Sequence, residues 1–167
     1  MLIPEFDSAL EIVGELFVAI NYKDTREGEI LSYKNEGAIL IMEKKLIILV
    51  DDNPVNLKIG KFFLSEKFSV ATAPSAEKLF SLLENNYPNL ILLDIDMPDM
   101  DGYETIEILK SKPETKDIPV IFLTGIAKGA KDEVKGRSLG AVDYIIKPFD
   151  PPKLIECIEK HIKESSK

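Results

Sequence analysis

With 167 residues, 45% of them hydrophobic and 30% charged, the chain has room for one ordinary globular domain and a modest appendage, and it is too apolar to be a disordered segment. Its net charge of −8 argues against nonspecific binding to nucleic acid or to an anionic membrane surface. The single cysteine, Cys157, excludes an internal disulfide, and no apolar run approaches the roughly 20 residues of a membrane-spanning helix. The start, Met1-Leu2-Ile3-Pro4-Glu5, lacks the basic region and cleavage site of a signal peptide. The expectation is a cytoplasmic protein with neither a membrane nor a nucleic-acid partner.

Residues 1–41 differ in character from the rest and read as an N-terminal extension. Phe6, Ala9, Leu10, Val13, Leu16, Phe17 and Ile20 recur at helical spacing and predict an amphipathic helix, started by Pro4 or Asp7. Glu29–Tyr33 and Ala38–Met42, joined by the polar turn Lys34–Gly37, predict a short β-hairpin. The apolar face of the helix must be buried somewhere. The extension is therefore expected to pack on the main domain, to mediate a homodimer or to be an output surface. Met42-Glu43-Lys44-Lys45 also reads as a natural chain start, which would make residues 1–41 an upstream addition.

Residues 42–167 read as the main domain. Strand-like and helix-like segments alternate five times from Lys44 onward. The predicted strands are Leu46–Val50, Ser69–Thr72, Asn89–Leu93, Val120–Leu123 and Val142–Ile145. The predicted helices cover Val55–Glu66, Ala76–Asn85, Tyr103–Ser111, Ala130–Leu139 and Pro152–Ile162. Asn53-Pro54 supplies an N-cap and first-turn proline, Ser75 a second N-cap, and Gly140 a C-cap glycine. Five strands with intervening helices in about 120 residues predict an α/β fold with a parallel, doubly wound sheet.

Four apolar runs end on reactive side chains: LIILV on Asp51-Asp52, LILL on Asp94, VIFL on Thr124 and VDYII on Lys147. Ligands bind beyond the carboxyl ends of such strands, so three carboxylates, a hydroxyl and an ammonium should converge on one edge. Carboxylates at this density repel unless a cation neutralises them. An all-oxygen set favours magnesium over zinc, because the only histidine, His161, lies far along in the last helix. Asp94 is then a candidate nucleophile toward phosphorus, with Lys147 and Thr124 for the equatorial oxygens. Lys147-Pro148 suggests a constrained, cis-capable peptide.

Over roughly residues 44–164 the chain resembles the receiver domain of two-component response regulators. The matching motifs are LVDDNPVNL, LLDIDMPDMDGYE, VIFLTG and DYIIKPF. The resemblance implies a flavodoxin-like (βα)5 sheet of strand order 2-1-3-4-5. It implies Asp94 as phosphoacceptor, Asp52 as a direct magnesium ligand, Asp51 acting through water, and the Asp96 backbone carbonyl as a further ligand. Thr124 and Tyr144 would be the coupled switch residues. The implied role is that of a stand-alone, chemotaxis-type receiver rather than an enzyme. It would take a phosphoryl group from a sensor histidine kinase or phosphotransfer protein, change its affinity for a downstream protein, and lose the group by slow self-dephosphorylation.

Asp96 adds an acid two positions after the phosphoacceptor, and with only Glu164-Ser165-Ser166-Lys167 after the last predicted helix no output domain is expected there. The rival reading is a haloacid dehalogenase-like phosphatase, with Asp94-Ile95-Asp96 as nucleophile and acid/base. Sequence order weighs against it, because that family places its further magnesium-binding acids after the lysine. Met97 and Met100 read as loop packing, Cys157 as a small core side chain and His161 as an offset to the helix dipole.

Overall fold

A computed structural model describes residues 31–35, 38–42, 44–125 and 129–164. The chain divides into two compact units, Met1–Lys44 and Lys45–Lys167. In the first, β1 (Leu31–Asn35) and β2 (Ala38–Met42) pair antiparallel, Leu31 opposite Met42 and Asn35 opposite Ala38. A hairpin was expected here, and its first strand runs through Lys34 and Asn35, two residues into the expected turn at Lys34–Gly37. The amphipathic helix expected around residues 6–20 lies outside the described residues.

The second unit alternates strictly: β3 (Leu46–Val50), α1 (Pro54–Leu64), β4 (Ser69–Ala73), α2 (Ala76–Leu83), β5 (Leu90–Asp94), α3 (Gly102–Ser111), β6 (Val120–Gly125), α4 (Gly129–Ser138), β7 (Asp143–Lys147) and α5 (Pro151–Glu164). The five strands are all parallel and ordered β4-β3-β5-β6-β7, which is 2-1-3-4-5 within this unit. Apolar runs without alternation require cover on both faces, and two separate cores supply it. Ile48, Val50, Ile91, Leu93 and Phe122 pack with Leu79, Ile106 and Leu109 of α2 and α3. Ile47, Leu49, Leu92, Ile121 and Leu123 pack with Leu64 of α1 and with Leu154 and Ile158 of α5. Among the described residues no helix is long and apolar enough to cross a membrane.

Helix ends follow the local chemistry. The Asn53 side chain accepts from the Val55 N–H at 2.9 Å with Pro54 in the first turn, and Ser75 accepts from Lys78 at 3.2 Å. Asp101 and Glu104 form a reciprocal capping box on α3, which starts that helix one residue before the predicted Tyr103. Gly140 (φ +95°) closes α4 in a Schellman motif, the Ala141 N–H reaching the Gly136 carbonyl and the Gly140 N–H that of Arg137.

Gly102 is fixed by a close approach. Its N–H donates to the Ile95 carbonyl at 3.0 Å. A Cβ there would lie 2.5 Å from the Asp94 carbonyl oxygen and 2.8 Å from the Ile95 Cα, both backbone atoms that cannot rotate aside. Gly102→Ala should therefore cost about 2–3 kcal/mol, as overpacking does, and push the loop after β5 outward. A urea titration checks this, and a variant with an unshifted midpoint would refute the packing argument.

At the start of β7, Asp143 accepts from His161 (Oδ2 to Nε2, 2.9 Å), and the Cys157 thiol lies 3.5 Å from the same oxygen. His161 is buried and paired rather than simply facing the helix dipole, and Cys157 meets a carboxylate rather than only core carbons. Burial, reinforced by Asp143, pushes the Cys157 thiol up to about 11. For Asp143 burial acts upward, but hydrogen bonds from His161, the Tyr144 N–H and Cys157 outweigh it and hold the carboxyl below its ordinary value.

Candidate functional site

Register brings the reactive residues together. Val50 of β3 is level with Leu93 of β5, so Asp51 and Asp94 leave the sheet side by side. Asp94 is paired with Leu123, Thr124 with Ile146, and Gly125 with Lys147. β3 ends at Val50 as predicted, while β5, β6 and β7 run one to two residues further than their apolar runs alone predicted, because ladder pairing continues through the reactive positions. Four adjacent strands thus deliver Asp51, Asp94, Thr124 and Lys147 to one edge.

Lys147 is the hub. Its Nζ lies 2.5 Å from Asp51 Oδ2 and 2.8 Å from Asp94 Oδ2. Asp51 is 1% exposed and is held further by the Asn53 N–H at 2.9 Å and by the Asn56 amide at 3.1 Å to both oxygens. Asp94 is 5% exposed and accepts from the Asp96 N–H at 3.3 Å. Burial pushes the Asp94 carboxyl above its ordinary value and prevails over the Lys147 ammonium that pulls it down. Burial alone would lower Lys147, but its hydrogen bonds to Asp51 and Asp94 win and hold it above the ordinary lysine value. The Lys147-Pro148 peptide is cis.

Asp52 and Asp96 are exposed at the rim. Carboxylate oxygens of Asp51, Asp52 and Asp94 come within 4.8 Å of one another. Three carboxylates against one ammonium leave the cluster two charges negative among the described residues. That deficit, met by hard oxygen donors alone, fits a divalent cation of the magnesium kind. The acid beside Asp94 is Asp51, which precedes it in the chain, opposite to the order the phosphatase reading requires.

Thr124 is buried on the opposite side of β6 from the acids by strand alternation, and its hydroxyl reaches the Gly125 carbonyl at 3.3 Å. Below it, Phe122 stands between two tyrosines, with ring centroids 5.4 Å from both Tyr103 and Tyr144. Lys135 lies over the Tyr103 ring at 3.8 Å. Gly136 makes room for Tyr144, since a Cβ at that position would overlap its hydroxyl. Of the aromatic row only Tyr144 was singled out from the sequence, and the Asn56 amide was not. Asn56 carries no local signal there, because its role depends on the first turn of α1 folding back over Asp51.

The family model for the response regulator receiver domain matches residues 47–159. The chain belongs to that family. This receiver is 33% identical to a CheY-like receiver domain protein of Methanospirillum hungatei JF-1, with a TM-score of 0.67 over 74% of this chain and 97% of the other. A protein of Vibrio cholerae named as a probable cyclic di-GMP phosphodiesterase is 40% identical over 117 residues, 70% of this chain and 26% of that protein. A probable transcriptional regulator, ycf29 of Porphyra purpurea, is 36% identical over 126 residues, 75% of this chain and 59% of that protein. The receiver thus spans about a quarter to three fifths of the length of these two curated relatives. It is a receiver of two-component response regulators with a flavodoxin-like sheet.

Proposed function

We propose that this receiver takes a phosphoryl group onto Asp94 from a phosphohistidine of a sensor kinase or phosphotransfer protein, and that the modified domain switches its binding to a partner protein. The observation that carries this is the buried Asp51–Lys147–Asp94 constellation at the carboxyl edge of the sheet. In the step, an Asp94 oxygen forms a bond to phosphorus while the phosphorus–nitrogen bond breaks in line, the freed imidazole keeping the electron pair and taking a proton from solvent. Asp51, Asp52, Asp94 and the Asp96 carbonyl are the residues that would hold magnesium, whose charge offsets that of the phosphoryl oxygens. Lys147, already 2.8 Å from Asp94, neutralises one equatorial oxygen, and the Thr124 hydroxyl donates to another.

Drawing Thr124 toward the phosphoryl group would vacate space above Phe122 and let Tyr144 move inward, a population shift biased by a local charge. On the donor side, α1 begins at the site edge and leaves Val55, Ile59, Phe62 and Phe63 exposed. That apolar stripe, continuous with the acceptor site, supports docking of a helical phosphodonor protein. Hydrolysis would be self-dephosphorylation and not turnover of an outside substrate.

Incubation with acetyl phosphate and magnesium, followed by intact mass, tests the reading. One phosphoryl adduct should accumulate, with phosphate released no faster than the adduct decays. Rapid turnover without an adduct would overturn it.

A further inference from the structure

The chain contains one cysteine and one histidine, and both meet the same carboxylate. Cys157 and His161 lie one turn apart on α5, so their side chains share a face. Across from them Asp143, the first residue of β7, presents Oδ2 2.9 Å from His161 Nε2 and 3.5 Å from Cys157 Sγ. All three candidate ligand atoms lie within 4.8 Å of one another. His161 is 6% exposed, while the Asp143 side chain is 26% exposed, so the cluster is enclosed on the core side and open at Asp143.

We propose that Asp143, Cys157 and His161 form a second metal centre, a three-ligand site for zinc or a similar borderline-soft divalent ion, with water in the fourth position. The donor set is one thiolate, one imidazole and one carboxylate, which suits zinc and not magnesium. Bonds of about 2.0–2.3 Å in tetrahedral geometry put neighbouring ligand atoms about 3.4–3.6 Å apart. The sulfur and oxygen already stand at that separation. The imidazole has to retreat from the carboxylate by about 0.5 Å, and its nitrogen already lies within 4.8 Å of the sulfur. A thiolate and a carboxylate together balance a divalent charge. Arg137, 3.9 Å from the other Asp143 oxygen, would remain as an outer partner that orients the carboxylate.

The centre is separate from the phosphoacceptor edge. Asp143 and Lys147 are the two ends of β7, roughly 13 Å apart at about 3.3 Å per residue. Bound metal would clamp α5 to β7 one residue before Tyr144, on the opposite face of the sheet from that ring.

The test is titration of the full chain with cobalt(II) under reducing conditions, in excess magnesium to hold the acidic edge. One equivalent should produce a thiolate-to-cobalt charge-transfer band, and one equivalent of zinc should abolish it. Because Cys157 is the only thiol in the chain, the band in the unaltered protein assigns the ligand without a variant. His161→Gln should weaken cobalt binding at least tenfold while far-UV circular dichroism is retained. Absence of the band in the unaltered protein, or a band with unchanged affinity in His161→Gln, would overturn the proposal.

Discussion

Asp94→Asn should abolish the phosphoryl adduct while leaving the domain folded and at least as stable as the unaltered protein. The amide has the shape of the carboxylate and keeps an oxygen for the Asp96 N–H, so the loop after β5 has no reason to rearrange. What changes is charge. Asp94 is 5% exposed beside Asp51, and its carboxyl is pushed above its ordinary value by burial, a sign that its anionic form is held at a cost. Removing that anion relieves desolvation and leaves Lys147 with Asp51 as its partner. An amide oxygen is a poor nucleophile toward phosphorus, so adduct formation from acetyl phosphate should fall below detection by intact mass. A thermal melt of the same sample separates chemistry from folding. An adduct of full intensity on the variant would place the acceptor elsewhere, with Asp96 the first residue to inspect.

Lys147→Met should make the fold magnesium-dependent. Methionine retains the length of the stem but strips two buried carboxylates, whose side chains are 1% and 7% exposed, of the only ammonium paired with them among the described residues. Breaking a buried ion pair from one side costs about 3–5 kcal/mol. Proton uptake by Asp94 caps that loss, so we expect about 3 kcal/mol, or about 10 °C in Tm for a domain of this size. A divalent ion can replace the lost charge, and at a hundredfold excess over its Kd ligand binding returns about 2.7 kcal/mol. Melts of both proteins with and without magnesium check this; equal losses in both conditions would show that Lys147 is not the counter-charge of the acidic edge.

The pH dependence follows from the sign of the lysine shift. Its pKa is raised, so its contribution is fully present below the ordinary lysine value of 10.5 and is lost as pH rises through the higher folded value. The lysine's own contribution should therefore be flat from neutral pH to about 9 and be lost only in strong alkali.

The five strands and five helices of the second unit were legible because each apolar run is short, continuous and bounded by strong punctuation. Asn53-Pro54, Ser75 and Gly140 act within one turn of themselves, so their effects need no distant partner. The capping box at Asp101–Glu104 was present in the sequence as well but was not singled out there. The reactive set was legible for a related reason. Parallel strands place their carboxyl ends on one side, so Asp51, Asp94, Thr124 and Lys147 had to share an edge once the sheet was granted.

Which of those residues touch was not legible. Sequence order alone could not say that Lys147 bridges Asp51 and Asp94 while Asp52 and Asp96 face solvent, because this depends on the register of β3, β5 and β7 and on the cover from α1. The Asn56 clamp on Asp51, the stack of Tyr103, Phe122 and Tyr144, and the meeting of Cys157 and His161 with Asp143 join residues 5, up to 41 and up to 18 positions apart. The sequence by itself determined the element order, the parallel sheet and the identity of the reactive side chains, since these rest on local periodicity, capping and strand direction. Only the tertiary structure decided which carboxylates are buried, which cation holds them and where the lone cysteine and histidine meet, since burial and charge pairing are properties of packed neighbours and not of the chain.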